Sequence, residues 1–389
     1  MSQRVSQHTY QRLSAGAFTD QNFTVRVNLR DLRTKIGTAF AHLVGFHLGI
    51  RLDPTYTTAP TVAGHNKLIR KLTLNDGHKD LAIVDGNAMR LLERIEWGQP
   101  LAREALTNGG STNPRAWSRV LMLGPLGFKD SPDGYGIPCA ALLNGSLVID
   151  GAAFTDVSAD ATAWTGNVYV TAILAPRRDL MLGAVYERRT FDISNDDKLT
   201  GEARYAALGL CDSSAYGAFT AGDVGVLTIE PDSSNNIFSP GLPASELGRL
   251  FNCEMRSGPL FALQGDPFDA TYDVDERIVN GATPTALATA IVECQPGVWV
   301  PRGGQTSKMS VACKNHLRIA TDGTNTTFRV VVGRFIPRDP GHLAFQLQAL
   351  EAELKRPIKE ESLKAAVLQK GSKSPESERR WMSLKLKVG

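Results

Sequence analysis

Lys67-Leu68-Ile69-Arg70-Lys71-Leu72-Thr73-Leu74-Asn75-Asp76-Gly77, with Leu81-Ala82-Ile83-Val84-Asp85-Gly86 close behind it, is the stretch whose reading decides the fold. Apolar and polar residues alternate before the turn and again after it, and Asn, Asp and Gly accept the positive φ that tight hairpin turns demand. The segment therefore reads as a β-hairpin. Past Asp85-Gly86, Asn87 is placed to cap a short helix whose apolar face is Met89, Leu92 and Trp97 or Leu91 and Ile95, with Gly98 and Pro100 as its stop.

The same punctuation recurs along the chain. Asn-Gly occurs at 108–109, 144–145 and 280–281, and Asp-Gly at 76–77, 85–86, 133–134, 150–151 and 322–323. Several of these pairs separate alternating apolar runs, which predicts a fold built mostly of antiparallel strands. Upstream, Phe23, Val25, Val27 and Leu29 alternate with Thr24, Arg26 and Asn28, a half-buried strand. Residues 41–52 form a more apolar strand, ended by Asp53-Pro54, and residues 1–19 read as a short helix or ordered arm anchored by Val5, Tyr10 and Leu13.

Downstream, strands are expected at 117–123, 168–174 and 181–186, and a hairpin is expected to join 140–143 to 147–149 through Asn144-Gly145. Residues 191–222 are polar and rich in small residues, so a domain junction is placed there. The strand pattern then restarts at 224–229, 290–294, 298–300, 309–313, 317–319 and 328–335. Each half thus holds about six to eight strands at the spacing of a sandwich or barrel. The ending differs: Leu343, Leu347, Leu350 and Leu354 mark an amphipathic helix, Pro357 breaks it, and 359–370 makes a second helical segment before Gly371.

A chain of 389 residues suits two domains, and 42% hydrophobic with 21% charged residues describes an ordinary globular protein. Five cysteines, Cys139, Cys211, Cys253, Cys294 and Cys313, are odd in number and never closely paired, which predicts free, mostly buried thiols and a reducing compartment. Residues 1–14 lack the apolar core of a signal peptide. The longest apolar run, 40–50, falls far short of the about 20 residues of a membrane span.

The net charge of +3 hides a split. Residues 1–35 hold six Lys/Arg against Asp20 and Asp31, and residues 355–389 hold ten against four Glu, so the ends carry +4 and +6 and the remainder −7. Basic tails on an acidic body suit phosphate, whether on lipid or nucleic acid.

Catalytic signatures are missing. The sequence has no P-loop, dinucleotide fingerprint, nucleophile elbow or H-E-x-x-H. His42 and His47, five apart on an alternating strand, are expected on opposite sides and hence unable to share a metal. The run from Asp192 to Asp197 starts like a calcium loop, but position six is Asp197 instead of Gly and position twelve is Ala203 instead of Glu. Asp269, Asp273, Asp275 and Glu276 read as a solvated loop. Trp97, Trp117, Trp164, Trp299 and Trp381 are dispersed singly, which suits core or interface packing better than base stacking.

Two consecutive β-rich halves, a polar N-terminal arm and a helical, basic C-terminus resemble the double jelly-roll major capsid proteins of tailless, membrane-containing icosahedral bacteriophages and related viruses. The 67–101 run, with its strand, Asx-Gly turn, strand, Gly, short helix and Pro, is similar to one met in such proteins. The resemblance implies an arm at 1–22, a first jelly roll at 23–200, a second at 201–341 and a helical, basic tail at 342–389. It further implies a non-enzymatic structural protein without cofactors that forms homotrimeric, pseudo-hexagonal capsomers in the virion and assembles in the host cytoplasm. The partners implied are neighbouring capsomers, minor capsid or penton proteins and the anionic lipid of an internal membrane, with no sequence-specific nucleic acid. Arg4, Arg12, Arg379, Arg380, Trp381, Lys385 and Lys387 are then the membrane- or interior-facing candidates. Competing readings are a virion protein with a long spine helix, which this sequence does not show, a receptor-binding spike, and a carbohydrate-active double β-sandwich enzyme.

Overall fold

The structure, a computed structural model, describes residues 9–55, 67–92, 115–124, 136–157, 163–176, 184–212, 225–232, 242–243, 298–299 and 311–337, apart from positions 20, 38, 87, 90, 91, 143 and 325, together with Asp339, Ala344 and Gln348. The first ten strands are β1 (Thr9–Phe18), β2 (Thr24–Asn28), β3 (Lys35–Ile36), β4 (Ala39–Thr55), β5 (Ile69–Asn75), β6 (Asp80–Val84), β7 (Arg115–Met122), β8 (Ile137–Pro138), β9 (Ser146–Gly151) and β10 (Ala163–Pro176). The next nine are β11 (Ala184–Ser194), β12 (Asp196–Thr200), β13 (Ala203–Asp212), β14 (Val226–Pro231), β15 (Leu242–Pro243), β16 (Val298–Trp299), β17 (Val311–Cys313), β18 (His316–Thr321) and β19 (Thr327–Pro337).

The hairpin that opened the reading is present. β5 and β6 pair antiparallel around a turn in which Gly77 has φ 100°. Asp76, only 1% exposed, makes that turn rigid: its Oδ1 accepts the N–H groups of His78 and Lys79 at 3.0 and 2.8 Å, and its own N–H donates to the Lys79 carbonyl. A bulge between Ile69 and Lys71 leaves Arg70 and Lys71 both exposed while Leu72 and Leu74 return to the core.

The strands form three sheets. One joins β1, β10, β4 and β3, with β7 and β8 also on β4; the second runs β16-β13-β19-β11-β6-β5-β9-β2, with β17 on β13; the third runs β12-β18-β14-β15. The nine-stranded sheet is shared. Its β2, β9, β5 and β6 half packs Val27, Leu72, Leu74, Leu147 and Ile149 with Phe46, Leu48, Val168 and Val170 of the six-stranded sheet. Its other half packs Val330, Val332 and Leu208 with Leu199, Ile229, Leu317 and Ile319 of the four-stranded sheet. Two sandwiches therefore share one continuous sheet, and burial at about 1.5–3 kcal/mol per large side chain holds each closed. The halves meet where β6 and β11 run parallel, pairing Ala82 with Arg188 and Ile83 with Arg189.

Several expectations change. Residues 9–18, read as a short helix or arm, form β1, registered against 166–174 of β10. Gln11 ties this strand to the turn that follows β2, donating to the Asp31 carbonyl at 2.7 Å and accepting the Arg33 N–H at 2.8 Å. Strand β4 runs through Asp53-Pro54 to Thr55; the pairing with β7 stops at Leu52, so among the described strands Pro54 has β10 alone beside it, where its missing N–H is tolerated. Residues 139–142 form a 3-10 turn buried on every side instead of a hairpin strand, closed by Gly145 N–H to the Leu142 carbonyl at 2.9 Å.

Residues 191–212, read as a polar junction, lie in β11, β12 and β13. Residues 184–200 pair with 316–337, in the half of the nine-stranded sheet that serves the second sandwich and in its opposing sheet. The helix after the hairpin is capped by Asp85, whose carboxylate accepts the Ala88 N–H at 2.9 Å; Asn87, expected as the cap, lies outside the described residues. Ala344 and Gln348 are helical and exposed, in keeping with the helix read from the leucine spacing. Cys139 and Cys313 are buried and in no disulfide. The strand read at 290–294 and the acidic residues 269–276 lie outside the described residues, and among those described no helix is long and apolar enough to cross a membrane.

Candidate functional site

Of the residues singled out for an interior or membrane-facing role, Arg4, Arg379, Arg380, Trp381, Lys385 and Lys387 lie outside the described residues. Arg12 is described, as an exposed side chain on β1 with its guanidinium 4.8 Å over the Tyr169 ring of the neighbouring strand. The strand registers align Tyr10 with Ile173, Arg12 with Thr171, Thr171 with His47, and Asn167 with Arg51, which puts these residues on the outer face of the six-stranded sheet. Tyr10, Arg12, His47 and Arg51 are exposed there, and desolvation holds the His47 pKa below the ordinary imidazole value.

A bulge decides who else reaches this face. Gly45 pairs with Ile173 and Leu43 with Leu174, so Val44 is the extra residue in β4 and shifts the alternation by one. His42 therefore falls on the same face as His47, contrary to the sequence expectation. It is buried, however, at the end of the face where Val44, Met122, Ile173 and Ala175 form a separate apolar cluster, while His47 is exposed in part. Among the described residues no group of three His, Cys, Asp or Glu is assembled to hold a metal.

The junction of the sandwiches is polar and buried. From β11, Arg188 donates to the carbonyls of Met122 and Gly124 at the end of β7, the latter at 3.0 Å, and its guanidinium stacks 4.7 Å over the Tyr186 ring. On the opposite face of β11, Glu187, 2% exposed, pairs with Arg189 and lies 3.8 Å from Arg334 Nη2. Arg334 donates to the Tyr205 hydroxyl at 3.2 Å, and burial pushes that phenol up to about 12.

Glu187, Arg189 and Arg334 line an open-mouthed pocket of about 380 Å³ together with Lys79, Thr200, Gly201, Glu202, Ile336 and Pro337. The sequence reading missed this pocket, because its residues come from four separate segments. The local hint was three charged residues in a row, Glu187-Arg188-Arg189, directly after the apolar Ala184-Val185-Tyr186.

The exposed side of the second sandwich is held by charge ladders. Arg318 on β18 bridges Asp196 on β12, at 2.8 Å to each carboxylate oxygen, and Glu230 on β14 at 2.9 Å. The Arg318 hydrogen bonds hold the Asp196 carboxyl below the usual carboxylate range. Asp232, in the left-handed region at φ 53°, accepts the N–H groups of Lys314, Asn315 and His316 at 2.6, 2.6 and 3.3 Å. Desolvation alone would raise its pKa, but these donors outweigh it and the pKa is lowered.

No family model matches the sequence, and no curated protein is similar to it at the sequence level. The fold is similar to that in the crystal structure of the STIV MCP, a viral major capsid protein, with a TM-score of 0.51 at 11% identity over 85% of this chain and 97% of that one. A chain of the atomic structure of Sulfolobus Turreted Icosahedral Virus matches with a TM-score of 0.52 at 10% identity, covering 90% and 98%. Mainly β, with two consecutive sandwiches joined through one sheet, this chain has the double jelly-roll fold.

Proposed function

We propose that this chain is a structural virion protein, the major capsid protein from which an icosahedral shell is built. The observation that carries the reading is the pair of sandwiches joined through a nine-stranded sheet, in a fold similar to that of the STIV MCP over 97% of that chain. No enzymatic role is assigned. The unit of assembly is a homotrimer of pseudo-hexagonal outline, since two similar sandwiches per chain supply six similar edges per ring of three. Neighbouring capsomers, penton or other minor capsid proteins, and host-cytoplasmic assembly complete the reading.

Within this reading the first sandwich ends between β10 and β11, a placement supported by the pairing of 184–200 with 316–337, and β1 belongs to the first sandwich instead of an N-terminal arm. The basic ends, with Arg4 and Arg12 at one and Arg379, Arg380, Trp381, Lys385 and Lys387 at the other, face the particle interior and the anionic lipid of an internal membrane. Support comes from the charge split, +10 on the two ends against −7 on the remainder.

Light scattering on the purified chain, followed by negative-stain microscopy, tests the proposal. Trimers with a six-sided outline are expected. A monomer of about 42 kDa at micromolar concentration, with no assembly under any salt condition, would overturn it.

A further inference from the structure

Glu187, Arg189 and Phe191 share one face of β11, and the register places Arg334 of β19 opposite Glu187 and Tyr205 of β13 opposite Arg334. This is the inward face of the second sandwich, so the charged residues sit at the end of an otherwise apolar interior, beneath the link from β12 to β13. The charges do not balance. Two guanidinium groups face one buried carboxylate; of the other two charges in the lining, Lys79 comes from the turn of the first sandwich's hairpin, half-buried, and Glu202 is exposed.

Arg334 is the group least satisfied by its surroundings. Its side chain is nine-tenths buried, one N–H reaches the Tyr205 hydroxyl at 3.2 Å, and Nη2 stands 3.8 Å from Glu187, too far for a hydrogen bond. Its Nε–H has no partner among the described residues. The rings of Phe191 and Tyr205, at 5.1 and 5.8 Å, stabilise the cation but accept no conventional hydrogen bond. A buried guanidinium with idle donors beside an open pocket is the arrangement that recognises a planar or tetrahedral oxyanion.

We propose that this pocket binds a small oxyanion, a carboxylate or phosphate group, held by Arg334 and Arg189 from the sandwich interior and by Lys79 from the adjoining hairpin turn. The occupant bridges the two sandwiches, because its ligands come from β11 and β19 on one side and from the β5–β6 turn on the other. The volume, about 380 Å³, accommodates such a group with part of the molecule that bears it. This inference stands whether or not the chain assembles into a shell.

The test is titration of the purified full chain with inorganic phosphate and, separately, sodium acetate, at ionic strength held constant with chloride, read by calorimetry and by melting temperature. Saturable binding of at least one, with a rise in melting temperature beyond that of chloride, is expected; which of the two binds identifies phosphate or carboxylate as the group recognised. Arg334→Gln is expected to abolish it. Because that change is buried, two changes at the rim keep the test decisive if it does not fold: Lys79→Gln weakens binding about fivefold and Glu202→Gln strengthens it by a similar factor. Chloride-like behaviour of both anions, or rim variants that both leave the affinity unchanged, overturns the proposal.

Discussion

Asp192 and Arg329 stand directly opposite each other in the register of β11 and β19, with Asp192 Oδ1 2.7 Å from Arg329 Nε. A strand that reads as polar is thereby held to its neighbour by a pair that only the folded register creates. Asp192 is 68% exposed, so water screens the pair. A double-mutant cycle with Asp192→Ala and Arg329→Ala, followed by urea denaturation, is expected to give a coupling of about 0.5 kcal/mol that shrinks in about 1 M salt. A salt-independent coupling above about 2 kcal/mol would show that the pair is less solvated than its exposure implies.

Gly77 has φ 100°, and a Cβ there would stand 3.1 Å from the Asn144 Cβ and 3.2 Å from its carbonyl carbon. Gly201 has φ 103° with nothing within 4 Å of that position. Gly77→Val therefore combines backbone strain with a clash and should cost upwards of about 2 kcal/mol, while Gly201→Ala carries the strain alone, about 1 kcal/mol. Melting curves of the two variants check the order, and equal stability would mean that the contact with Asn144 is not made.

The Asp232 carboxyl has its pKa lowered in the folded chain, net of a desolvation effect of opposite sign. A group whose pKa falls on folding contributes stability that is present above the unfolded value of about 3.9 and disappears as pH drops through the lower folded value. Asp232→Asn retains a side chain that tolerates positive φ but does not titrate. The urea midpoint of the parent should consequently fall more steeply than that of Asp232→Asn below about pH 4, and parallel curves would refute the linkage.

Removal of residues 372–389 takes away Lys373, Arg379, Arg380, Lys385 and Lys387 against only Glu376 and Glu378, together with the apolar Trp381, Met382, Leu384 and Leu386. If this tail meets anionic lipid, the shortened chain should keep the melting temperature and oligomeric state of the full chain while losing most binding to phosphatidylserine vesicles, with the difference vanishing at high salt. Undiminished vesicle binding sinks the lipid-facing role. Loss of the oligomer would assign the tail to the subunit interface instead.

What the sequence disclosed follows from where the stabilising interactions lie. β2, the β5–β6 hairpin, β10 and β19 are visible because their own side chains alternate or run apolar, a signal contained in one window. The start of β11 was visible at 181–186, but its later part and β12 were hidden because their acidic residues are matched by Arg329 and Arg318, more than a hundred positions away. β1 was missed because Ala, Ser and Gly fill its middle and a bulge near Leu13 breaks its period. His42 and His47 were misplaced by the single extra residue Val44. The pocket around Arg334 could not be read locally at all, since Lys79, Glu187, Glu202 and Arg334 meet only once both sandwiches exist.

The seam between Ala82-Ile83 and Arg188-Arg189 also bears on how the chain is made. During synthesis, β1 to β10 emerge first and can close around their own apolar residues, yet β6 then presents an open edge of unpaired N–H and C=O groups, the kind that invites strands from other chains. Among the described strands only β11 covers it, and β11 arrives attached to the same polypeptide by a short connection, so its local concentration at that edge far exceeds any stranger's. Tandem placement of the two sandwiches thus acts as an internal chaperone for the first. Separating them by a cut between Pro176 and Ala184 leaves a half-molecule prone to strand exchange, even though nearly all of its own core is intact.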